Sequence, residues 1–162
     1  MKRLTLGALG ILLVSTLPAR AQAARPAAAT QKQIADEVIA LTHAHWAAEM
    51  KKDAAAWGKN VAEDYTVFEG AYPTRIDGKA MMARIAEGNF SSSDTLITAE
   101  MANEKVQVYG DVAILSYNYI ASVKNRDGKV TPAMAKSTRV YVKQGGQWML
   151  VHANFAPVTA PN

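Results

Sequence analysis

A single carboxylate stands at the end of an otherwise apolar segment. Residues 65–72 read YTVFEGAY, so that apolar residues precede Glu69 and a glycine follows it. A carboxyl group in an apolar pocket has its pKa raised by desolvation, and it serves as a general base near neutral pH if a facing donor stabilises the oxyanion formed. In the structural alternative, Glu69 pairs with Arg75, Arg139 or a backbone amide and fixes the turn. The residues alone leave both roles open.

An arginine interrupts the apolar pattern of a later segment. In KSTRVYV, strict alternation places Ser137, Arg139 and Tyr141 on one face of a strand and the residues between them on the other. A guanidinium on an inner face is costly to bury unless it is paired. We therefore expect Arg139 to meet either Glu69 or an anionic ligand.

Aromatic residues are available to form a pocket around these charged groups. The candidates are Trp46, Tyr65, Tyr117, Tyr119 and Phe155, with Trp57 closing the same space. Aromatic sets at such spacings also form ordinary cores, although each buried tyrosine hydroxyl needs a partner, which a ligand or a water can supply. One guanidinium among aromatics suits a small apolar or amphipathic ligand that carries a carboxylate or a carbonyl.

The three histidines do not have the spacing of a metal site. His43 and His45 are two residues apart and lie on different faces of a helix, and His152 lies on a distant strand. The sequence also lacks a nucleophile elbow, a phosphate loop and a dinucleotide-binding motif. It therefore predicts neither a metal nor a cofactor.

Helical periodicity predicts the elements that hold the first part of the site. From Gln31 onward, apolar positions recur at helical spacing at Ile34, Val38, Leu41, His45 and Ala48. A second, short helix is predicted around Trp57 and Val61, leading into the strand that ends at Glu69. A third helix follows a turn at Asp77-Gly78 and carries Met82.

Four β-segments are predicted in the second half of the chain. They span residues 95–108, 111–125, 130–144 and 147–157, and turn-favouring pairs such as Asp-Gly and Gly-Gly separate them. Helices followed by a long antiparallel meander predict an α+β fold.

The beginning of the chain reads as a secretory signal peptide. Residues 1–23 have a basic start, an apolar run from Leu4 to Leu17 and an A-x-A ending. That run is shorter than the roughly 20 residues that a membrane-spanning helix needs. Residues 24–30 are predicted to be a flexible linker, and residues 31–158 a single domain. We expect a cleaved, soluble, periplasmic or secreted protein without a membrane span.

The charge balance argues against a nucleic-acid partner. The formal net charge is +4, but Lys2, Arg3 and Arg20 contribute three of these charges and leave with the signal peptide. The remaining domain is close to neutral and has no basic patch interleaved with aromatics. The chain contains no cysteine, so it forms no disulfide.

Several local motifs resemble a known superfamily. The segments YTVFEG, YGDVAILSYNY and STRVYVKQGGQWMLVH resemble nuclear transport factor 2-like proteins, which include ketosteroid isomerase and SnoaL-like cyclases. The nearest resemblance is to the association (hub) domain of calcium/calmodulin-dependent protein kinase II and its exported bacterial relatives, and it covers residues 31–157. It implies a cone in which a curved antiparallel sheet wraps the long N-terminal helix around an apolar pocket. Such cones serve as enzymes, ligand binders and assembly domains.

The resemblance to ketosteroid isomerase implies a catalytic pair. Its spacing puts the proton-abstracting carboxylate at Glu69 and the oxyanion donor at His45. Its second donor, a protonated aspartic acid, falls near Thr138, where the sequence has no carboxyl group. The resemblance therefore does not extend to steroid isomerisation.

The resemblance to the hub domain implies a pocket for small carboxylates that contains Arg139. Two further arginines of that pocket fall at Tyr119 and Phe155, and its histidine falls near Met82. One cationic group of the hub pocket is thus retained.

Related domains form dimers through the outer face of the sheet. Alternation along the last strand places Trp148, Leu150 and His152 on this face, where Ile114 and Ile120 would join them. A patch of this kind would be unfavourable in water, so a homodimer is expected.

Three functions remain open from the sequence. The first is an exported, non-catalytic binder of a small molecule, with an aromatic pocket that contains Arg139 and Glu69. The second is a cofactor-free isomerase, cyclase or dehydratase with Glu69 as the base and His45 or Arg139 as its partner. The third is an oligomeric assembly module like the kinase hub. We expect the first.

Overall fold

The long first helix begins earlier than the sequence indicates. A computed structural model describes residues 28–92 and 94–158. The first helix, α1, spans Ala28–Met50, so residues 28–30, which were predicted to be linker, are helical. The run of alanines there favours helix, because alanine has the highest helix propensity. The predicted signal peptide, residues 1–23, lies outside the described residues.

Two shorter helices follow. The second helix, α2, spans Ala54–Trp57 and begins where the Asp53 carboxylate accepts a hydrogen bond of 3.0 Å from the Ala56 amide. It ends before Gly58, whereas the sequence predicted a helix that extends to Val61. The third helix, α3, spans Lys79–Ser91.

Six strands form one curved sheet. The strands are β1 (Val61–Glu69), β2 (Ile76–Asp77), β3 (Thr95–Tyr109), β4 (Val112–Lys124), β5 (Val130–Gln144) and β6 (Gln147–Pro157). Their order in the sheet is β2-β1-β6-β5-β4-β3. The predicted antiparallel meander from β3 to β6 is confirmed. The short β2 was not predicted, and β1 pairs with β6 in parallel.

A bulge in β6 reverses the predicted facing of its first half. Val140 pairs with His152 and Tyr141 pairs with Leu150, so Val151 is an extra residue in β6. Because side chains alternate with a period of two, one extra residue exchanges the two faces. Trp148 and Leu150, which were expected to face outward, are therefore core residues with 1% and 2% exposure.

The outer face keeps only part of the predicted apolar patch. His152 remains on this face, where its Nδ1 atom lies 2.9 Å from the Thr66 hydroxyl and its ring contacts Phe68. Ile120 is 40% exposed, and Phe68 is 49% exposed. The patch is smaller than the sequence indicates, because Trp148 and Leu150 have left it.

Helix α1 packs against the inner face of the sheet through both apolar and polar contacts. Val38 and Leu115 are fully buried at this interface. The Thr42 hydroxyl donates to the Val38 carbonyl at 2.9 Å and accepts from the Tyr141 hydroxyl at 2.8 Å. This chain of hydrogen bonds fixes α1 against β5 at a point where no solvent reaches either hydroxyl.

The substitution Tyr141→Phe tests that attachment. We expect the free energy of unfolding, measured by urea denaturation, to fall by about 1 kcal/mol, because the Tyr141–Thr42 hydrogen bond is lost while the bond to Val38 remains. The control Tyr72→Phe removes a hydroxyl from a residue that is 38% exposed and should change stability by less than about 0.5 kcal/mol. Equal effects of the two substitutions would contradict this assignment.

Candidate functional site

A cavity of about 130 Å³ lies between α1, α3 and the inner face of the sheet. Most of the residues that the sequence singled out line it together: His45, Trp46, Tyr65, Glu69, Tyr119, Arg139 and Phe155. They come from one helix and four strands, so the curvature of the sheet and the position of α1 bring them together. Tyr117 does not line the cavity.

Arg139 is the buried cation of this cavity. It is 2% exposed, and its Nε atom donates a hydrogen bond of 3.1 Å to the Tyr117 hydroxyl. Its guanidinium carbon lies 5.8 Å from the centre of the Trp46 ring and 5.6 Å from that of the Phe155 ring. Within residues 28–92 and 94–158, its Nη1 atom has no hydrogen-bond partner. The inward facing of Arg139, predicted from alternation, is confirmed, and Tyr117 is its hydrogen-bond partner.

Glu69 is not the counterion of this guanidinium. In the part of the chain that the structure describes, no ion pair joins Glu69 to Arg139 or Arg75, and Arg75 pairs instead with Asp77. The expected structural bridge is therefore absent from those residues. Burial raises the pKa of the Glu69 carboxyl above its usual value, while the charge of Arg139 acts in the opposite direction.

His45 contributes a neutral imidazole to the same cavity. Its ring packs against that of Trp57, with 4.7 Å between the ring centres. Burial, and then the charge of Arg139, lower the pKa of His45 well below its usual value, and the backbone of Trp57 acts weakly in the opposite direction. The uncharged ring has one N–H donor and one acceptor nitrogen, and the backbone of Trp57 is a partner for the N–H.

Glu49 is a site residue that the sequence analysis missed. It follows His45 by four residues on α1 and lines the cavity beside it. The i, i+4 spacing that puts two helical residues on one face was the available signal. Burial raises the pKa of the Glu49 carboxyl, Arg139 lowers it, and the neighbouring Glu69 raises it further. The cavity thus holds two carboxyl groups.

Each carboxyl lies where the cavity adjoins an outer pocket. An outer pocket of about 250 Å³ shares Glu49 and Tyr119 with the cavity, and its wall includes Asp94. A second outer pocket, of about 300 Å³, shares Glu69, Tyr119 and Phe155 with it. Glu49 is thus shared between the cavity and one outer pocket, and Glu69 between the cavity and the other.

No metal-binding cluster accompanies these groups in the described residues. No three histidine, aspartate or glutamate side chains of residues 28–92 and 94–158 are close enough to hold a metal ion.

None of the helices in the same residues has both the length and the hydropathy needed to cross a membrane. The chemistry of the cavity is that of carboxyls, an imidazole, tyrosine hydroxyls and a guanidinium.

Solved structures with the same cone place the fold in the nuclear transport factor 2-like class. The association domain of C. elegans calcium/calmodulin-dependent protein kinase II has a TM-score of 0.66 and 22% identity, covering 78% of this chain and 98% of its own. An NTF2-like protein of unknown function from Pseudomonas putida KT2440 has a TM-score of 0.64 and 20% identity, covering 80% and 87%. A candidate ketosteroid isomerase from Parabacteroides distasonis has a TM-score of 0.60 and 21% identity, covering 75% and 86%.

The family is narrower than the fold class. The model of the calcium/calmodulin dependent protein kinase II association domain matches residues 34–158, which is more than half of the chain. The chain belongs to this family. Comparison with curated proteins found no significant match. Relatives with this fold include both an assembly domain and a candidate isomerase, so the fold leaves the function to be argued from the site.

Replacing the buried cation tests whether Arg139 serves stability. We expect the double substitution Arg139→Met with Tyr117→Phe to leave the free energy of unfolding unchanged or to raise it by about 1 to 4 kcal/mol, because a buried charge is exchanged for apolar groups of similar volume. Urea denaturation measures this. The matched single variant Tyr117→Phe should destabilise, because it leaves the guanidinium without a partner. A loss of about 3 to 5 kcal/mol in the double variant would instead make Arg139 a structural residue.

Proposed function

We propose that the protein is an exported, non-catalytic binding protein for a small, flat, apolar or amphipathic molecule that carries a carboxylate or a carbonyl group. In this proposal, the molecule's oxygen accepts hydrogen bonds from Arg139. Its apolar body lies against Trp46, Tyr65, Tyr119 and Phe155, while Tyr117 holds the guanidinium from behind.

The incomplete pairing of Arg139 carries this proposal. A guanidinium with 2% exposure makes one hydrogen bond, to an uncharged hydroxyl, and no carboxylate among the described residues lies within ion-pair distance. Burying a cation without a counterion is expensive. An anionic or carbonyl ligand would supply the missing acceptor, and a purely structural arginine would be expected to have a carboxylate partner.

The volume of the cavity limits the size of the ligand. Cavities of about 150 Å³ hold one benzene molecule, so about 130 Å³ admits a body of roughly one six-membered ring. Larger ligands would extend into an outer pocket past Glu49 or Glu69. Benzoate, a ring with one carboxylate, is therefore a suitable probe.

Export and dimer formation belong to the same proposal. The signal-peptide pattern of residues 1–23 supports export to the periplasm or the medium. On the outer face of the sheet, Ile120 and Met134 pair across β4 and β5 with 40% and 53% exposure, and Phe68 is 49% exposed on β1. A homodimer through this face would cover these side chains.

Native mass spectrometry of the protein purified from an exporting host tests the proposal. We expect a dimer of chains that lack residues 1–23, and we expect benzoate to bind to the wild type and to the control Arg126→Met, whose arginine is exposed in a turn. Arg139→Met should lose the benzoate adduct. Benzoate binding that survives Arg139→Met would show that the pocket assignment is wrong, and a large oligomer without any adduct would favour an assembly module.

Glu69 and His45 line the same cavity, which favours one alternative function, proton transfer next to a carbonyl group. Glu69, with its raised pKa, would take a proton from the carbon beside the carbonyl, and the N–H of neutral His45 would donate a hydrogen bond to the enolate oxygen. In an isomerase, Glu69 would then return the proton to a different carbon of the conjugated enolate, and in a dehydratase, the enolate would expel a β-hydroxyl group, which would leave as water with that proton. This is the chemistry of a cofactor-free isomerase or dehydratase.

Deuterium exchange tests the catalytic alternative. If the protein is an enzyme of this type, it should accelerate the exchange of the α-protons of cyclohexanone in D₂O, followed by NMR. Glu69→Gln should then reduce the rate by about 100-fold or more, because the base is removed. The exposed control Glu87→Gln on α3 should not change it. Absence of acceleration by the wild type would count against this alternative.

A further inference from the structure

The cavity contains two carboxyl groups and one cation, and neither carboxyl is paired with the cation among the described residues. Glu49 and Glu69 both line it with Arg139, yet the described residues show no ion pair between either carboxyl and the guanidinium. With both carboxyls ionised and His45 neutral, the cavity would carry a net charge of −1. With one carboxyl protonated, its net charge would be zero.

An anion that enters the cavity adds a negative charge beside these carboxyls. In a region of low dielectric constant, the repulsion between like charges is much stronger than in water. The ligand and the carboxyls also compete for the same guanidinium. Protonating a carboxyl removes the repulsion and leaves Arg139 to the ligand.

We propose that Glu49 is a specificity-determining residue that forms a proton-holding pair with Glu69, so that an anionic ligand binds at Arg139 only together with a proton. This inference rests on the proposed function, and it adds a selection rule. The cavity binds an anion when Glu49 or Glu69 is protonated, and it binds a neutral carbonyl compound without taking up a proton.

Apart from the guanidinium, the other titratable groups of the cavity stay uncharged, so the two carboxyls are the groups that take up this proton. From α1, His45 is held neutral by burial and by Arg139. From β1 and β4, Tyr65 and Tyr119 have a pKa raised by burial, so both remain uncharged.

Within residues 28–92 and 94–158, the remaining elements contribute no further carboxyl to the cavity. The cavity is lined by Asn89 and Phe90 from α3, by Phe155 from β6 and by Trp57 from α2. Lys52 and Asp94 lie in the outer pocket beyond Glu49, where the Lys52 ammonium donates to the Ser92 carbonyl at 2.8 Å. Burial raises the pKa of the Glu49 and Glu69 carboxyls above its usual value, and the charge of Arg139 acts in the opposite direction.

The direction of the pH dependence follows from these shifts. The pKa of each carboxyl is already above its usual value in the empty cavity, and a bound anion would raise it further. At a pH between the carboxyl pKa of the free protein and that of the complex, the complex holds more protons than the free protein. The affinity for an anion therefore falls as the pH rises. One proton taken up corresponds to about a tenfold loss of affinity per pH unit.

Isothermal titration calorimetry with two matched probes tests the proposal. Benzenesulfonate remains an anion at every pH used, and benzamide remains neutral. Titrations between pH 5.5 and 8.5 in buffers of different ionisation heat measure both the affinity and the protons taken up. For benzenesulfonate, we expect proton uptake and an affinity that falls about tenfold per pH unit within the titration window. For benzamide, we expect no uptake and an affinity that changes by less than about twofold.

Variants assign the effect to the carboxyl pair. The double substitution Glu49→Gln with Glu69→Gln should make benzenesulfonate binding independent of pH, and Glu49→Gln alone should reduce the uptake. The exposed control Glu87→Gln should keep the wild-type pH dependence. Uptake that persists in the double variant would overturn the proposal, because another group, such as His45, would then hold the proton.

The failure of this inference is distinguishable from the failure of the proposed function. Arg139-dependent binding of benzenesulfonate with no proton uptake would overturn the role of the carboxyl pair and leave the binding function intact. If neither probe binds, or if binding is unaffected by Arg139→Met, both proposals are overturned.

Discussion

The burial of one guanidinium constrains the whole cavity. Arg139 lies in the middle of β5, where alternation turns it inward, and the curved sheet and α1 enclose it. Tyr117 from β4 accepts a hydrogen bond from it, and the ring centres of Trp46 from α1 and Phe155 from β6 lie 5.8 and 5.6 Å from its guanidinium carbon. Each of these neighbours stabilises a cation, but none of them neutralises it. Among the described residues, the guanidinium therefore has no counterion in contact with it.

Two carboxyl groups line the same cavity without forming an ion pair with Arg139 in the described residues. Glu49 and Glu69 lie at the boundaries between the cavity and the outer pockets, and both are partly buried. Their placement leaves the space in front of Arg139 free, whereas an ion pair would close it. This arrangement is costly to stability, since the desolvation of three ionisable groups is not offset by direct pairing.

Membership in the association-domain family is compatible with this interpretation. The fold is shared by an assembly domain and by proteins of other or unknown function, so the outer face and the inner cavity can serve different purposes in the same cone. In this chain, the bulge at Val151 moves Trp148 and Leu150 from the outer face into the core. That shift reduces the apolar area available for association and enlarges the core beneath α1.

The sequence by itself determined the elements with strong local patterns. The four strands of the meander, α1 and the inward facing of Ser137, Arg139 and Tyr141 follow from periods of 3.6 and 2 residues, which depend only on neighbouring residues. The family resemblance added His45 and Glu69 as residues of one pocket, and both line the same cavity.

Only the tertiary structure decided which groups touch and which remain apart. The sequence did not predict the inserted residue Val151, the parallel pairing of β1 with β6 or the presence of Glu49 in the cavity. It left open whether Glu69 pairs with Arg139, and the described residues show no such ion pair. Strand register and distances across a cavity depend on residues far apart in the chain, and a one-residue slip leaves the local composition unchanged. A sequence pattern specifies the face on which a side chain lies, and packing between elements then sets the distance to its partner.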